Sequence, residues 1–92
     1  MKPKILIVDD EVSILQSLSG VLEDEGYRVS VAASGEESLE DVRKDSPDLV
    51  LLDIWMPGMD GLAVLKEIKS SYPQLPVIII SGHANIETAV KA

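Results

Sequence analysis

Cysteine is absent from the 92 residues, which excludes a disulfide framework and a thiolate metal site. Phenylalanine is absent too, and one Trp and two Tyr supply all the aromatic side chains. The core therefore has to be built from Val, Ile and Leu. Positive charge is scarce: eight Lys and Arg stand against sixteen Asp and Glu, for a net charge of -8. Phosphate backbones are gripped by stripes of Lys and Arg. The basic residues here are scattered, so nucleic acid is not expected as a direct partner. A membrane surface is disfavoured on the same ground, since anionic leaflets attract polybasic segments. Long apolar runs are missing as well. Ile5 to Val8 stops at Asp9 and Asp10, short of the roughly 7–15 residues of a secretory core. Val77 to Ile80 is far too short to span a bilayer. These absences describe a soluble, cytoplasmic chain of one small domain.

What is present is an alternation of strand and helix patterns. The hydrophobic share of 46% is that of a globular fold. Lys4 to Val8 reads as a first strand. Ile14, Leu15, Leu18, Val21 and Leu22 recur at helical spacing across Val12 to Glu25. Gly26 suits a left-handed residue that ends the helix. Tyr27, Val29 and Val31 alternate as a half-buried strand. Ser34 and Glu37 have the spacing of a capping box ahead of a helix to about Lys44, with Leu39 and Val42 as its apolar stripe. Leu49 to Leu52 is apolar throughout, as central strands of parallel sheets are. Asp60 reads as the N-cap of a helix carrying Leu62, Leu65, Ile68 and Tyr72. Val77 to Ile80 is a fourth strand, and Ile86, Ala89 and Val90 open another helix. Strands alternating with such helices mean right-handed βαβ units and an α/β, doubly wound parallel sheet.

Polar residues interrupt these strands at telling places. Asp9 and Asp10 follow the first strand, Asp53 the third, and Ser81-Gly82 the fourth. Ligands of doubly wound sheets bind beyond the carboxyl ends of the strands, where the strand order reverses. With strand order 2-1-3-4, three carboxylates from distant parts of the chain converge in one crevice. Close carboxylates repel and raise each other's pKa, so they ionise cheaply only around a cation. All-oxygen ligands suit Mg²⁺, which keeps several waters and prefers one or two carboxylates plus a phosphate. Each piece also has an ordinary structural role. Asp9 or Asp10 can cap the helix at Val12, and Asp53 or Ser81-Gly82 can be turn residues. Their joint placement at three strand ends is what favours a metal-assisted phosphoryl site.

The stretches Ile5-Leu6-Ile7-Val8-Asp9-Asp10-Glu11, Leu51 to Gly61 and Val77 to Ala84 together resemble the receiver domain of two-component response regulators. The resemblance covers all 92 residues as one domain, 1–92. It implies a flavodoxin-like fold and a role as phosphoacceptor in signalling, not an enzyme with turnover. It implies that Asp53 accepts the phosphoryl group from a sensor histidine kinase. It also implies that Asp9, Asp10, Asp53 and the backbone carbonyl of Trp55 serve Mg²⁺, and that Ser81 hydrogen-bonds the phosphoryl group and switches. Met56, Gly82 and His83 would border that group; His83 by itself reads as a loop histidine. Ser81 to Val90, with Asp53-Ile54-Trp55, looks like a subgroup that precedes ATPase domains activating sigma-54 RNA polymerase. The output domain of the same regulator would then be a further partner.

The family pattern extends past Ala92 through the rest of a fourth helix, a fifth strand ending in Lys, and a fifth helix. The domain is therefore expected to be incomplete here. Weak phosphorylation is expected without that Lys. Self-association through an exposed fourth-strand edge is expected too. A haloacid-dehalogenase phosphatase would need Asp-x-Asp after the first strand, where Glu11 stands two residues after Asp9. A flavodoxin-type cofactor site needs a first loop that welcomes phosphate, and Asp9-Asp10-Glu11 repels one. A phosphorylation-independent interaction domain of the same fold is the remaining alternative.

Overall fold

The computed structural model describes residues 2–53 and 61–80, and the backbone of 86–87. The elements are β1 Lys4–Val8, α1 Val12–Asp24, β2 Arg28–Ala32, α2 Gly35–Lys44, β3 Leu49–Asp53, α3 Gly61–Ser71, β4 Val77–Ile80 and β5 Ile86–Glu87. The sheet order is β2-β1-β3-β4-β5. The first four strands are parallel, in the expected order 2-1-3-4.

The side-chain period of a strand is two, and here each set finds its own helix layer. Leu6 and Val8 of β1 join Val50 and Leu52 of β3 in a cluster with Val42 of α2 and with Val64 and Ile68 of α3. Ile5 and Ile7 turn the other way and pack with Leu15 of α1, against Leu18, Leu22, Leu49 and Leu51. Burial on both faces is why Ile5 to Val8 of β1 and Leu49 to Leu52 of β3 are uninterrupted runs of aliphatic residues.

The helix ends follow local chemistry. Ser34 Oγ accepts the Glu37 N–H at 3.2 Å. Glu37 Oε1 accepts the N–H of Ala33 at 2.9 Å, one residue earlier than the usual capping box. Gly26 holds φ +97° after α1, a conformation that glycine adopts without penalty.

Several expected faces turn out differently. Val21 and Leu62 lie at helical spacing yet are 59% and 52% exposed. The buried stripe of α3 is Gly61, Val64 and Ile68. On β2 the buried residue is Ala32, while Val31, and Tyr27 just ahead of the strand, are exposed. Ile86 opens no helix: Ile86–Glu87 pairs antiparallel with Ile79 and Ile80. This pairing satisfies backbone groups that the outer side of β4 would otherwise present bare. The expected ground for self-association is thereby removed over those two residues. The N-cap assigned to Asp60 lies outside the described residues.

Lys4 fastens the end of the sheet away from the acidic loop. Its side chain is 8% exposed and its Nζ donates to the Asp45 carbonyl at 2.8 Å. The Asp45 and Asp41 carboxylates lie 3.2 and 3.5 Å away. Ser30 Oγ donates to the same Asp41 at 2.9 Å, and Asp48 accepts the Lys4 N–H at 2.8 Å. Lys4→Ala loses the buried stem and its bonds. We expect a loss of about 2 kcal/mol in unfolding free energy, read as a lower urea midpoint at unchanged slope. A midpoint equal to wild type would show that the tie contributes nothing.

Candidate functional site

The register of the sheet decides what meets at its carboxyl edge. Val8 stands opposite Leu52. One step further, Asp9 leaves β1 beside Asp53, the last residue of β3. Asp9 is anchored to the other neighbour of β1, because its N–H donates to Ala32 O at 3.1 Å. Asp53 sits opposite Ile80 of β4. Both carboxylates lie in the same alternation as the buried Ile7 and the half-buried Leu51, and both residues are 3% exposed. Asp10 follows in the loop and is exposed.

Asp9 does not cap α1. The N-cap is Glu11, which makes no capping bond through its side chain. Instead Asp9 Oδ1 accepts the Glu11 N–H at 2.9 Å, an Asx turn that folds the acidic loop over the strand end. This role for the Glu11 backbone was missed in the sequence reading. Its signal is local, since an Asp side chain commonly accepts the N–H two residues on.

Carboxylate oxygens of Asp9, Asp10 and Asp53 all lie within 4.8 Å of one another. Opposed ligands of a Mg²⁺ stand about 4.2 Å apart, given bonds of about 2.1 Å. The three groups therefore fit one hard cation with a small contraction, or with a water completing one contact. The donor set is all oxygen, two members are buried and one faces solvent. That suits an ion that retains waters and an open side. Trp55, Met56, Ser81, Gly82 and His83 lie outside the described residues.

Burial and neighbouring charge set the electrostatics of the site. Burial pushes the Asp9 carboxyl above the ordinary value of 3.8. The Glu11 N–H pulls it back, and the charges of Asp53, Asp10 and Glu11 raise it further. The folded state thus holds the Asp9 proton more tightly than the unfolded state does. The associated stability is fully present below pH 3.8 and is lost as pH rises through the folded value. Asp9→Asn keeps the acceptor for Glu11 and removes the charge. We expect it to raise the melting temperature in metal-free buffer at neutral pH, with the gain vanishing below pH 3.8. An equal gain at both pH values would refute the charge origin.

Among the described residues no helix is long and apolar enough to cross a membrane. Comparison with known proteins places this arrangement. Residues 5–92 match the response regulator receiver domain family. The chain is 48% identical over 94 residues to the nitrogen assimilation regulatory protein NtrX of Azorhizobium caulinodans, covering 100% of this chain and 21% of that protein. It is 48% identical over 88 residues to the transcriptional regulatory protein ZraR of Escherichia coli strain K12, covering 96% and 20%. The crystal structure of NtrX from Brucella abortus superimposes with a TM-score of 0.85 at 47% identity, covering 92% of this chain and 19% of that one. The chain thus spans about a fifth of the length of these relatives. A parallel sheet in the order 2-1-3-4, closed at its carboxyl edge by three carboxylates and matched over nearly every residue, belongs to the response regulator receiver domain family.

Proposed function

We propose that Asp53 is a phosphoacceptor, taking a phosphoryl group from the phosphohistidine of a sensor kinase with a Mg²⁺ ion held by Asp9, Asp10 and Asp53. The observation that carries this reading is the meeting of the three carboxylates within 4.8 Å at the end of β1 and β3. A buried pair of adjacent carboxylates is costly, and costly ionisable groups in a crevice are the mark of functional sites.

In the proposed step an Asp53 oxygen bonds to phosphorus while the P–N bond of the donor breaks. The electron pair of that bond leaves with the imidazole, which takes up a proton from solvent. The product is an acyl phosphate. Bound Mg²⁺ supplies charge neutralisation for the equatorial phosphoryl oxygens, where a loose transition state places its charge. The work of the protein is positional. The β3 ladder fixes Asp53, the Asx turn fixes Asp9, and burial excludes water from all but the open side. The Trp55 carbonyl is assigned to the same ion, and Met56, Gly82 and His83 to the border of the phosphoryl group. The Ser81 hydroxyl is assigned to a phosphoryl oxygen, so that the added charge of about -1.5 to -2 draws the segment after β4 inward. Such a local charge biasing a two-state element would signal to an output domain. NtrX and ZraR are by name regulatory proteins, and we extend transcriptional output, in the sigma-54-dependent class, to this chain as part of the proposal.

The test is incubation with acetyl phosphate, with and without Mg²⁺, followed by intact-mass analysis. Mg²⁺-dependent addition of one phosphoryl group, lost in hydroxylamine as acyl phosphates are, is the expected result. No adduct under any Mg²⁺ concentration would leave the phosphorylation-independent interaction domain as the better reading.

A further inference from the structure

The helices of this fold are not equally secured. Ser34 caps α2, Glu36 and Glu37 stand in its first turn and Arg43 and Lys44 in its last. Arg43 also pairs with Glu40 at 3.3 Å. Each arrangement favours a helix, by satisfying an N–H, by complementing the macrodipole or by pairing neighbours. α1 is built otherwise. Its N-cap, Glu11, makes no capping bond through its side chain, and its last turn holds no basic residue. Glu23 and Asp24 stand there instead, with Glu25 at the C-cap, so negative charge gathers at the negative end of the dipole. Only the acidic loop Asp9-Asp10-Glu11, ahead of its positive end, favours α1 by charge. Among the described residues no ion pair reaches this helix.

Composition and packing add to the contrast. Ser13, Ser17, Ser19 and the β-branched Val12, Ile14 and Val21 rank low as helix formers. Gly20 lies inside α1, and a Cβ there would meet nothing within 4 Å. No close approach calls for glycine, so its cost to the helix is uncompensated. Leu15 is the one buried residue of α1, helped by the partly buried Leu18 and Leu22 over Ile5 and Ile7.

The first turn of α1 is joined to the acidic site. The Glu11 carbonyl accepts the N–H groups of Ile14 and Leu15, both at 3.1 Å, while the Glu11 N–H donates to Asp9 Oδ1 at 2.9 Å. Glu11 is thus a link, with its carbonyl in α1 and its N–H on Asp9, and Asp10 lies between the two. The main chain of Asp9 is held separately, by its bond to Ala32. The direction of its side chain and the place of Asp10 depend on the turn that α1 completes.

We infer, on the cation site proposed above, that α1 opens as a unit of its own and that its first turn is part of that site, so that loading the site closes the helix. In the open form Glu11 no longer holds Asp9, and Asp9 and Asp10 are free to move away from Asp53, as like charges do. A ligand that binds the closed form and not the open one stabilises the closed form by an amount that grows with its concentration. Occupancy of the acidic site is thereby transmitted along α1, whose outer surface carries the exposed Val12 and Val21.

Amide hydrogen exchange of the ¹⁵N-labelled chain tests this, first without divalent ions and then in saturating Mg²⁺. Without the ion, Leu18 and Leu22 should exchange at least about tenfold faster than Leu6 and Leu52 of the strands. Mg²⁺ should slow both groups by the same factor, about 100-fold when it stands at about 100 times its dissociation constant, because opening of α1 and global unfolding both dismantle the site. Gly20→Ala should slow Leu18 and Leu22 about fivefold without the ion and keep the response to Mg²⁺. Asp10→Ala should weaken that response at the same Mg²⁺ concentration. Leu18 and Leu22 as slow as the strands before any ion is added would overturn the inference, as would a Gly20→Ala chain whose α1 exchanges like wild type. Strands that slow in Mg²⁺ while α1 does not would also overturn it, and would leave the cation site standing. If neither group responds to Mg²⁺, the cation site itself fails, and the coupling with it.

Discussion

Asp53→Asn is expected to abolish labelling by acetyl phosphate, reducing the acyl-phosphate adduct by at least about 100-fold. Three carboxylates share the site, but they are not equivalent. Asp53 is held at its position by a ladder with β4 on one side and by the neighbouring β1 on the other. Asp10 is exposed in a loop, and Asp9 spends one oxygen on the Glu11 N–H. Of the three, Asp53 alone is held within a strand ladder. Asparagine has the same shape, so the fold is retained, while its amide is a poor nucleophile for phosphorus. Labelling that persists in Asp53→Asn and migrates to Asp9 or Asp10 would mean that proximity to the cation, not position on β3, selects the acceptor.

Asp10→Ala is expected to have the second-largest effect, and of a different kind. Outer-shell partners of metal ligands already cost roughly 10–100-fold in metal affinity. Removing a direct oxygen ligand should shift the Mg²⁺ dependence of labelling by at least that much. Because Asp10 is exposed, its replacement should change folding stability by no more than about 0.5 kcal/mol. High Mg²⁺ should restore much of the labelling. This signature separates Asp10 from Asp53, whose loss no Mg²⁺ concentration repairs. It also separates Asp10 from Asp9, whose neutralisation stabilises the metal-free fold while weakening the ion. A loss of labelling in Asp10→Ala that is independent of Mg²⁺ would remove Asp10 from the ligand set.

The parts of this structure legible in the sequence are those set by neighbours in the chain or by burial on two faces. β1, β3 and β4 announce themselves because a strand covered on both sides has no polar alternation to keep. The capping pair Ser34 and Glu37 and the left-handed Gly26 are decided within a few residues. Helix faces were harder to read. In α3, Leu62, Leu65 and Ile68 satisfy helical spacing as well as Gly61, Val64 and Ile68 do. Which stripe turns inward is set by how the helix lies on the sheet, and there the small Gly61 is buried and Leu62 is not. The Lys4 tie was out of reach for another reason. Its partners Asp41 and Asp45 are some forty residues away, and a lysine opening a strand reads locally as a solvated end. The acidic site was legible because the ends of β1 and β3 are brought side by side by topology alone, without any knowledge of side-chain packing. The turn at Asp9 altered how one carboxylate is held and left the convergence intact.

The central claim is that the carboxylates of Asp9, Asp10 and Asp53 form one cation site. Substoichiometric Mn²⁺ added to the ¹⁵N-labelled chain tests it directly, because paramagnetic broadening falls steeply with distance from the ion. Amide signals at the end of β1 and the end of β3 should broaden first and together, and Mg²⁺ should restore them by competition. Broadening that begins instead on the acidic surface of α2, at Glu36, Glu37 and Glu40, would contradict the account.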